Sequence, residues 1–271
     1  MIDVWAFFRC AVLVLCIAGL SLGQTTRPST RPQDEATKLL DTLSEKLYTP
    51  IRSGLRELSY DYLTTPEGAL QGKFRVDVRY RTDSRPTVQF LSDDRSPMKE
   101  LPAWLNSPAP GKKGTLVKDL FESGGRATLK WFVPETPSRQ YETWAKRLES
   151  RTVNGRPERI LVLEPSSSHP LRRVEMNFDA RGLPWRIIYY PQRPAEGGDA
   201  ITEEPLYESI DGKLVRSSWK EVSGVSSIQH VLTFQLVRGY LLPTSHERLA
   251  PGSKQPDRTV FDRVTVIPPL N

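Results

Sequence analysis

Residues 206–243 read LYESIDGKLVRSSWKEVSGVSSIQHVLTFQLVRGYLLP. Apolar and polar residues alternate in three or four runs, punctuated by Asp211-Gly212, Ser223-Gly224 and Arg238-Gly239. Asp-Gly between extended runs is a strong hairpin signal, because a type I′ turn needs two residues that tolerate positive φ. The stretch therefore predicts an antiparallel meander with one face to bury and one to wet. What covers the buried face becomes the functional question.

The pattern continues on both sides. Residues 73–81 alternate without a break, Phe74, Val76, Val78 and Tyr80 against Lys73, Arg75, Asp77, Arg79 and Arg81, and 87–91 offers a shorter partner strand. Residues 141–153 and 156–164 flank Asn154-Gly155, the other favoured hairpin turn. Residues 172–179 and 184–190 flank Ala180-Arg181-Gly182-Leu183, with Val174, Met176 and Phe178 on one face, and 259–267 gives a last strand before Pro268-Pro269. Helices are expected at 34–48, where Leu39, Leu40, Leu43 and Leu47 fall at helical spacing, and in a short piece with Leu116, Val117, Leu120 and Phe121 that Gly124-Gly125 should stop. Residues 96–114 read as loop or short helical turns and 191–205 as a polar loop. With no repeat of fixed period, about ten sequential strands imply an α+β fold: a strongly curved antiparallel sheet, or half-open β-barrel, wrapped around one to three helices.

The first 33 residues are of a different kind. Arg9 precedes an apolar run at 10–22 of the length of a secretory h-region, and Ser21-Leu22-Gly23 supplies small residues at the positions a signal peptidase reads. Residues 1–23 are therefore expected to be a cleaved signal peptide, the alternatives being an uncut anchor helix or lipidation at Cys16. Residues 24–33, rich in Pro, Thr and Arg, read as a flexible tether, and 34–271 as a single domain. Both cysteines, Cys10 and Cys16, lie inside the signal. Cleavage would leave no thiol for a disulfide, a nucleophile or a zinc site, which suits a periplasmic or secreted protein with a full hydrophobic core. The net charge of +6 comes from interspersed rather than clustered residues, which describes a solvated strand face.

No constellation for catalysis stands out. The three histidines, His169, His230 and His246, are not spaced for a shared metal, and no G-x-S-x-G elbow accompanies them. His169 belongs to a turn, whereas His230 shares a strand face with Ile228, Leu232 and Phe234. The acidic pairs Asp93-Asp94 and Glu203-Glu204 read as solvated loop residues, unlike glycosidase carboxylates on separate strands. Gly124-Gly125 and Gly197-Gly198 lack the setting of a phosphate cradle. Arginines interleave with aromatics at 74–81 and 185–190, a pattern compatible with base stacking, but export argues against nucleic acid.

The apolar face remains, and Phe74, Val76, Val78, Tyr80, Val174, Met176, Phe178, Ile228, Leu232 and Phe234 are its candidate ligand-binding residues. A helix covers about 10 Å of sheet width, whereas ten strands spaced ~4.8 Å apart span nearly 50 Å. Either the sheet curls until its face meets itself, or room is left for something apolar.

Three phrases carry a family resemblance: RPERILVLEP at 156–165, VEMNFDARGLP at 174–184 and RGYLLP at 238–243. With the N-terminal helix and the hairpin series, 36–267 resembles the bacterial lipoprotein-carrier fold, the LolA and LolB type of outer-membrane lipoprotein-sorting protein together with periplasmic sensor relatives. The resemblance implies an eleven-stranded half-open barrel closed by helices, an apolar cavity for acyl chains, no cofactor and no catalysis. The expected function is thus a non-enzymatic carrier or binder of lipid or of lipoprotein acyl chains, with an envelope protein as a further partner. The alternatives are an envelope sensor or interaction module with a filled core, and a hydrolase of envelope polymers.

Overall fold

The computed structural model describes residues 35–64, 74–92, 94–109, 114–153, 155–193, 200–253 and 255–267. The signal and tether expected at 1–33 lie outside them. Twelve strands form one antiparallel sheet: β1 (Glu57–Thr64), β2 (Phe74–Arg81), β3 (Thr87–Leu91), β4 (Ala145–Val153), β5 (Arg156–Glu164), β6 (Leu171–Phe178), β7 (Pro184–Pro191), β8 (Ile201–Ile210), β9 (Lys213–Ser223), β10 (Ser226–Val237), β11 (Tyr240–Leu249) and β12 (Asp257–Ile267). Their order is β3-β2-β1-β12-β11-β10-β9-β8-β7-β6-β5-β4. From β4 to β12 every strand pairs with its successor, and β12 then takes β1 on its far side, from Glu57 opposite Ile267 to Thr64 opposite Thr259 with one register shift between Ser59 and Asp61. The sheet is open, with β3 and β4 as its edges, and the fold class is the α+β arrangement read from the pattern.

The tight turns sit where the dipeptides placed them. Asp211 and Gly212 have φ of 49° and 70°, and Arg238 and Gly239 have 49° and 85°. Positive φ at both central positions is the type I′ geometry whose twist matches the flanking strands.

The described residues form three α-helices, α1 (Glu35–Lys46) and α2 (Val117–Phe132) on the sheet and the single turn α3 (Pro137–Gln140) against α1. The α2 helix overturns the expectation of a short helix stopped by Gly124-Gly125. It runs through both glycines because the second is a place of contact, where an added Cβ would lie 3.2 Å from Val88 Cγ1 and 3.3 Å from Tyr62 Oη. Its buried stripe of Val117, Phe121, Gly125, Thr128, Leu129 and Phe132 keeps helical spacing over the whole length. At 1.5 Å per residue α2 is roughly 24 Å long, so the apolar face has two substantial covers where the sequence suggested one. A smaller correction concerns 141–144, expected as strand. Pro137 opens α3, the backbone N–H of Tyr141 donates back to the Pro137 carbonyl, and β4 starts only at Ala145.

Each long helix has its own core. Under α2 lie Leu58, Tyr60 and Tyr62 of β1, Val76 and Val78 of β2, and Phe261 and Val266 of β12. Tyr60 stacks on Phe132 with ring centres 3.9 Å apart, and Phe261 meets both edge-on. Under α1, Ala36 and Leu40 pack with Leu161, Leu163, Val174, Met176, Ile187 and Tyr189 of β5–β7. The strands between these cores, β8–β11, carry something else.

Candidate functional site

Strand alternation builds the site on the inner face of β8–β11. On β8 Glu203 and Pro205 are buried while Glu204 and Leu206 face out. Their partners are Glu221 and Trp219 of β9, and His230 of β10 stands opposite Trp219. On β11, Arg248 lies opposite His230, and His246 opposite Leu232. One residue is out of phase. The β8–β9 register steps from Leu206 opposite Ser218 to Tyr207 opposite Arg216, which makes Ser217 the extra residue of a bulge. A bulge re-aims the side chains next to it, and here it brings the Arg216 guanidinium to 4.4 Å from the centre of the Trp219 ring. Both strand prolines of the region, Pro205 and Pro243, lie beside register shifts, where a missing N–H costs the ladder least.

The result is a row of rings. Trp219 stacks on His230 at 4.5 Å with 5° between planes, His230 faces His246 at 5.3 Å and 12°, and His246 lies 4.1 Å from Trp131 in the last turn of α2. His230 Nδ1 and His246 Nε2 are 3.1 Å apart and share one hydrogen bond. The two imidazoles are 1% and 7% exposed. Burial, followed for His230 by the charge of its partner and for both by Lys130 and Arg248, depresses their pKa values to about 2 for His230 and about 3 for His246. Both are neutral at physiological pH.

Charged groups flank the row. Glu203 accepts hydrogen bonds from Tyr189 Oη at 3.0 Å and from Arg216 Nη2 at 2.9 Å. Burial, then the Glu203 carboxylate, holds the Tyr189 phenol well above its ordinary range, so it stays a donor. Glu221 Oε2 is 3.9 Å from His230 Nε2, and burial, then Glu203, raises its pKa. Arg248 Nη1 reaches Asp257 at 3.3 Å. Three buried donors of the band make no hydrogen bond, Trp131 Nε1, Arg216 Nε and Arg248 Nη2, and neither do His230 Nε2, a donor or an acceptor by tautomer, and the hydroxyls of Ser217 and Ser245. Buried donors are nearly always satisfied by protein, water or ligand. An inner face with this inventory is prepared for acceptor atoms.

The expected binding residues fall into three groups. Val76, Val78 and Tyr80 belong to the core under α2, and Val174, Met176 and Phe178 to the one under α1. Ile228, Leu232 and Phe234 lie on β10, the first two buried beside His230 in neither core, and Phe234 half-buried. Phe74 opens β2, and its side chain lies outside the described residues.

One reading of the polar residues needs correction, and two contacts were not visible in the sequence. Glu203 is not a solvated loop residue, because the strand begins at Ile201 and alternation turns this carboxylate inward. Pro205 hid it by marking the segment as loop. His246 belongs to β11, and the β10–β11 pairing brings His230 and His246 together although they are 16 residues apart in sequence. Arg216 was invisible because the bulge at Ser217 shifts its phase against Trp219. Asp94 does sit on an exposed turn, where Ser92 and Ser96 hydrogen bonds hold its carboxyl down at about 2, and Asp93 lies outside the described residues. His169 accepts a hydrogen bond from the Leu171 N–H in its turn. Among the described residues no group of three or more His, Cys, Asp or Glu could hold a metal ion, and no helix is long and apolar enough to cross a membrane.

No family matches the sequence, and no curated protein resembles it. Three solved structures are similar to the chain over most of their length. The LolA superfamily protein NE2245 from Nitrosomonas europaea is 10% identical, with 87% of this chain and 94% of that chain covered and a TM-score of 0.35. A putative outer membrane lipoprotein-sorting protein domain from Vibrio parahaemolyticus is 9% identical, covering 88% and 94% with a TM-score of 0.32. A DUF1329 family protein from Desulfovibrio piger is 10% identical, covering 89% and 96% with a TM-score of 0.32.

Proposed function

We propose that the protein is an exported, non-enzymatic carrier or binder of lipid or of a lipidated protein, and that its ligand occupies the inner face of the sheet between α1 and α2. One observation carries the reading. The face is apolar on both flanks, at Val76 and Val78 and at Val174 and Met176, and its middle presents buried donors without acceptors. An amphiphile has the matching chemistry, with hydrocarbon to either side and a polar group over β8–β11. Each methylene buried contributes about 0.8 kcal/mol, so one acyl chain suffices for binding before ordering costs are subtracted.

A second reading has its own support. Val76, Val78 and Val174 are 0% exposed, so both flanks are already sealed by their helices, as in a sensor or interaction module with a filled core. Mass spectrometry of the organic extract of protein purified from the cell envelope separates the two. The carrier reading expects stoichiometric lipid. An empty extract from protein that also takes up no acyl-chain probe would leave the filled-core module.

A further inference from the structure

The ring row ties the last turn of α2 to β9–β11, while Phe132 of the same turn packs on Tyr60 of β1 and Phe261 of β12. Trp219, His230 and His246 belong to β9, β10 and β11, while Trp131 belongs to the last turn of α2, so the row fastens the end of that helix to the centre of the sheet. Its middle joint is a hydrogen bond between two imidazole nitrogens, which exists only while at least one of them lacks a proton. With both rings protonated, two N–H groups and two positive charges would face each other across 3.1 Å.

We propose that the His230–His246 pair is an acid-operated clamp, which when neutral holds Trp131 in the last turn of α2 against β9–β11 and on protonation releases that side of the turn from β9–β11. The groups around the pair set the direction. Arg216 from β9, Arg248 from β11 and Lys130 from α2 all disfavour an imidazolium. Arg248 is partly neutralised by Asp257 of β12, and Arg216 by Glu203 of β8. Glu221 of β9 is the acidic group nearest His230 Nε2, at 3.9 Å, and its own proton affinity is raised by burial and by Glu203. Stacking on Trp219 and Trp131 favours an imidazolium face-on. That attraction does not offset burial together with three cations.

Opening returns both histidines to water and to an ordinary pKa near 6.5. Because the closed state binds fewer protons there, it loses ground as pH falls below that value. Between pH 7.5 and 5.5 the opening equilibrium should rise about 10-fold for each histidine and about 100-fold for the pair. Glu221 acts in the opposite sense, since its raised pKa means that the closed state gains a proton as pH falls. Glu221→Gln should therefore steepen the response. That opening uncovers a ligand surface rests on the carrier reading; the opening itself does not.

Hydrogen exchange of the full chain at pH 7.5 and 5.5, corrected for intrinsic exchange rates, tests the clamp. Protection at 128–133, 228–232 and 244–248 should fall about 100-fold in the wild type and about 10-fold in His230→Gln or His246→Gln, and should be flat with pH in the double variant. Should the double variant not fold, the single variants and Glu221→Gln decide the matter by their slopes. A wild type whose protection ignores pH, or single variants as steep as the wild type, would overturn the proposal. Acid-dependent loss of protection with no lipid in the extract keeps the clamp and removes the carrier; lipid with pH-independent protection does the reverse.

Discussion

Arg216 shows what one side chain contributes at the residue scale. It pairs with Glu203 at 2.9 Å while stacking on Trp219, and the carboxylate it pairs with is buried. Removing one member of such a pair costs more than the pair itself contributes, because the remaining charge stays buried without compensation. Arg216→Met should destabilise the fold by about 3 kcal/mol in urea denaturation, with most of that recovered when Glu203→Gln is added. A double variant as unstable as the sum of the singles would show that the two side chains act independently. None of this was legible in the chain, where the segment that ends at Pro205 reads as a loop and nothing singles out Arg216. Val76, Val174 and Ile228, by contrast, were recognisable as buried from alternation alone, since each follows the period of its own strand.

Helix α2 carries the argument at the scale of elements. The glycine pair that should have ended it divides into two roles. A Cβ on Gly124 would have Tyr62 Oη at 4.0 Å, an ordinary contact, whereas one on Gly125 would press on Val88 and on a Tyr62 ring fixed by burial and by its 3.3 Å hydrogen bond to the Phe121 carbonyl. Gly124→Ala should therefore gain about 0.5–1 kcal/mol from helix propensity. Gly125→Ala should lose about 1 kcal/mol despite the same intrinsic gain, because overpacking outweighs it. Thermal unfolding followed by circular dichroism reads both, and equal shifts in Tm would remove the close-contact account of Gly125. The hairpins show the opposite case. Asp211-Gly212 and Arg238-Gly239 need only their own φ angles, so local sequence was enough to place them.

For the whole molecule the decisive feature is the β1–β12 pairing, which joins strands from the two ends of the described chain. Phe261 of β12 stands at that junction, 3% exposed, against Tyr60, Trp131 and Phe132. Phe261→Ala should cost about 3–5 kcal/mol. Closure over such a sequence separation is slow, because loop entropy is lost before contacts form. If this pairing forms late in folding, the substitution should appear mainly in the unfolding rate, measured by stopped-flow chevron analysis. A loss under 1 kcal/mol would mean that the two ends of the sheet are held by the ladder alone.

By itself the sequence determined most of the strands, about ten of the twelve, with their tight turns, the apolar periodicity and the N-terminal helix, because each depends on φ angles and spacings within a dozen residues. Only the tertiary structure decided that β1 closes onto β12, that α2 continues past two glycines to cover the inner face at β1, β2 and β12, and that Glu203, Arg216, Glu221, His230, His246 and Trp131 meet in its middle. Those outcomes come from register, bulges and long-range pairing, which place side chains from distant positions side by side and leave no periodic trace in any one segment.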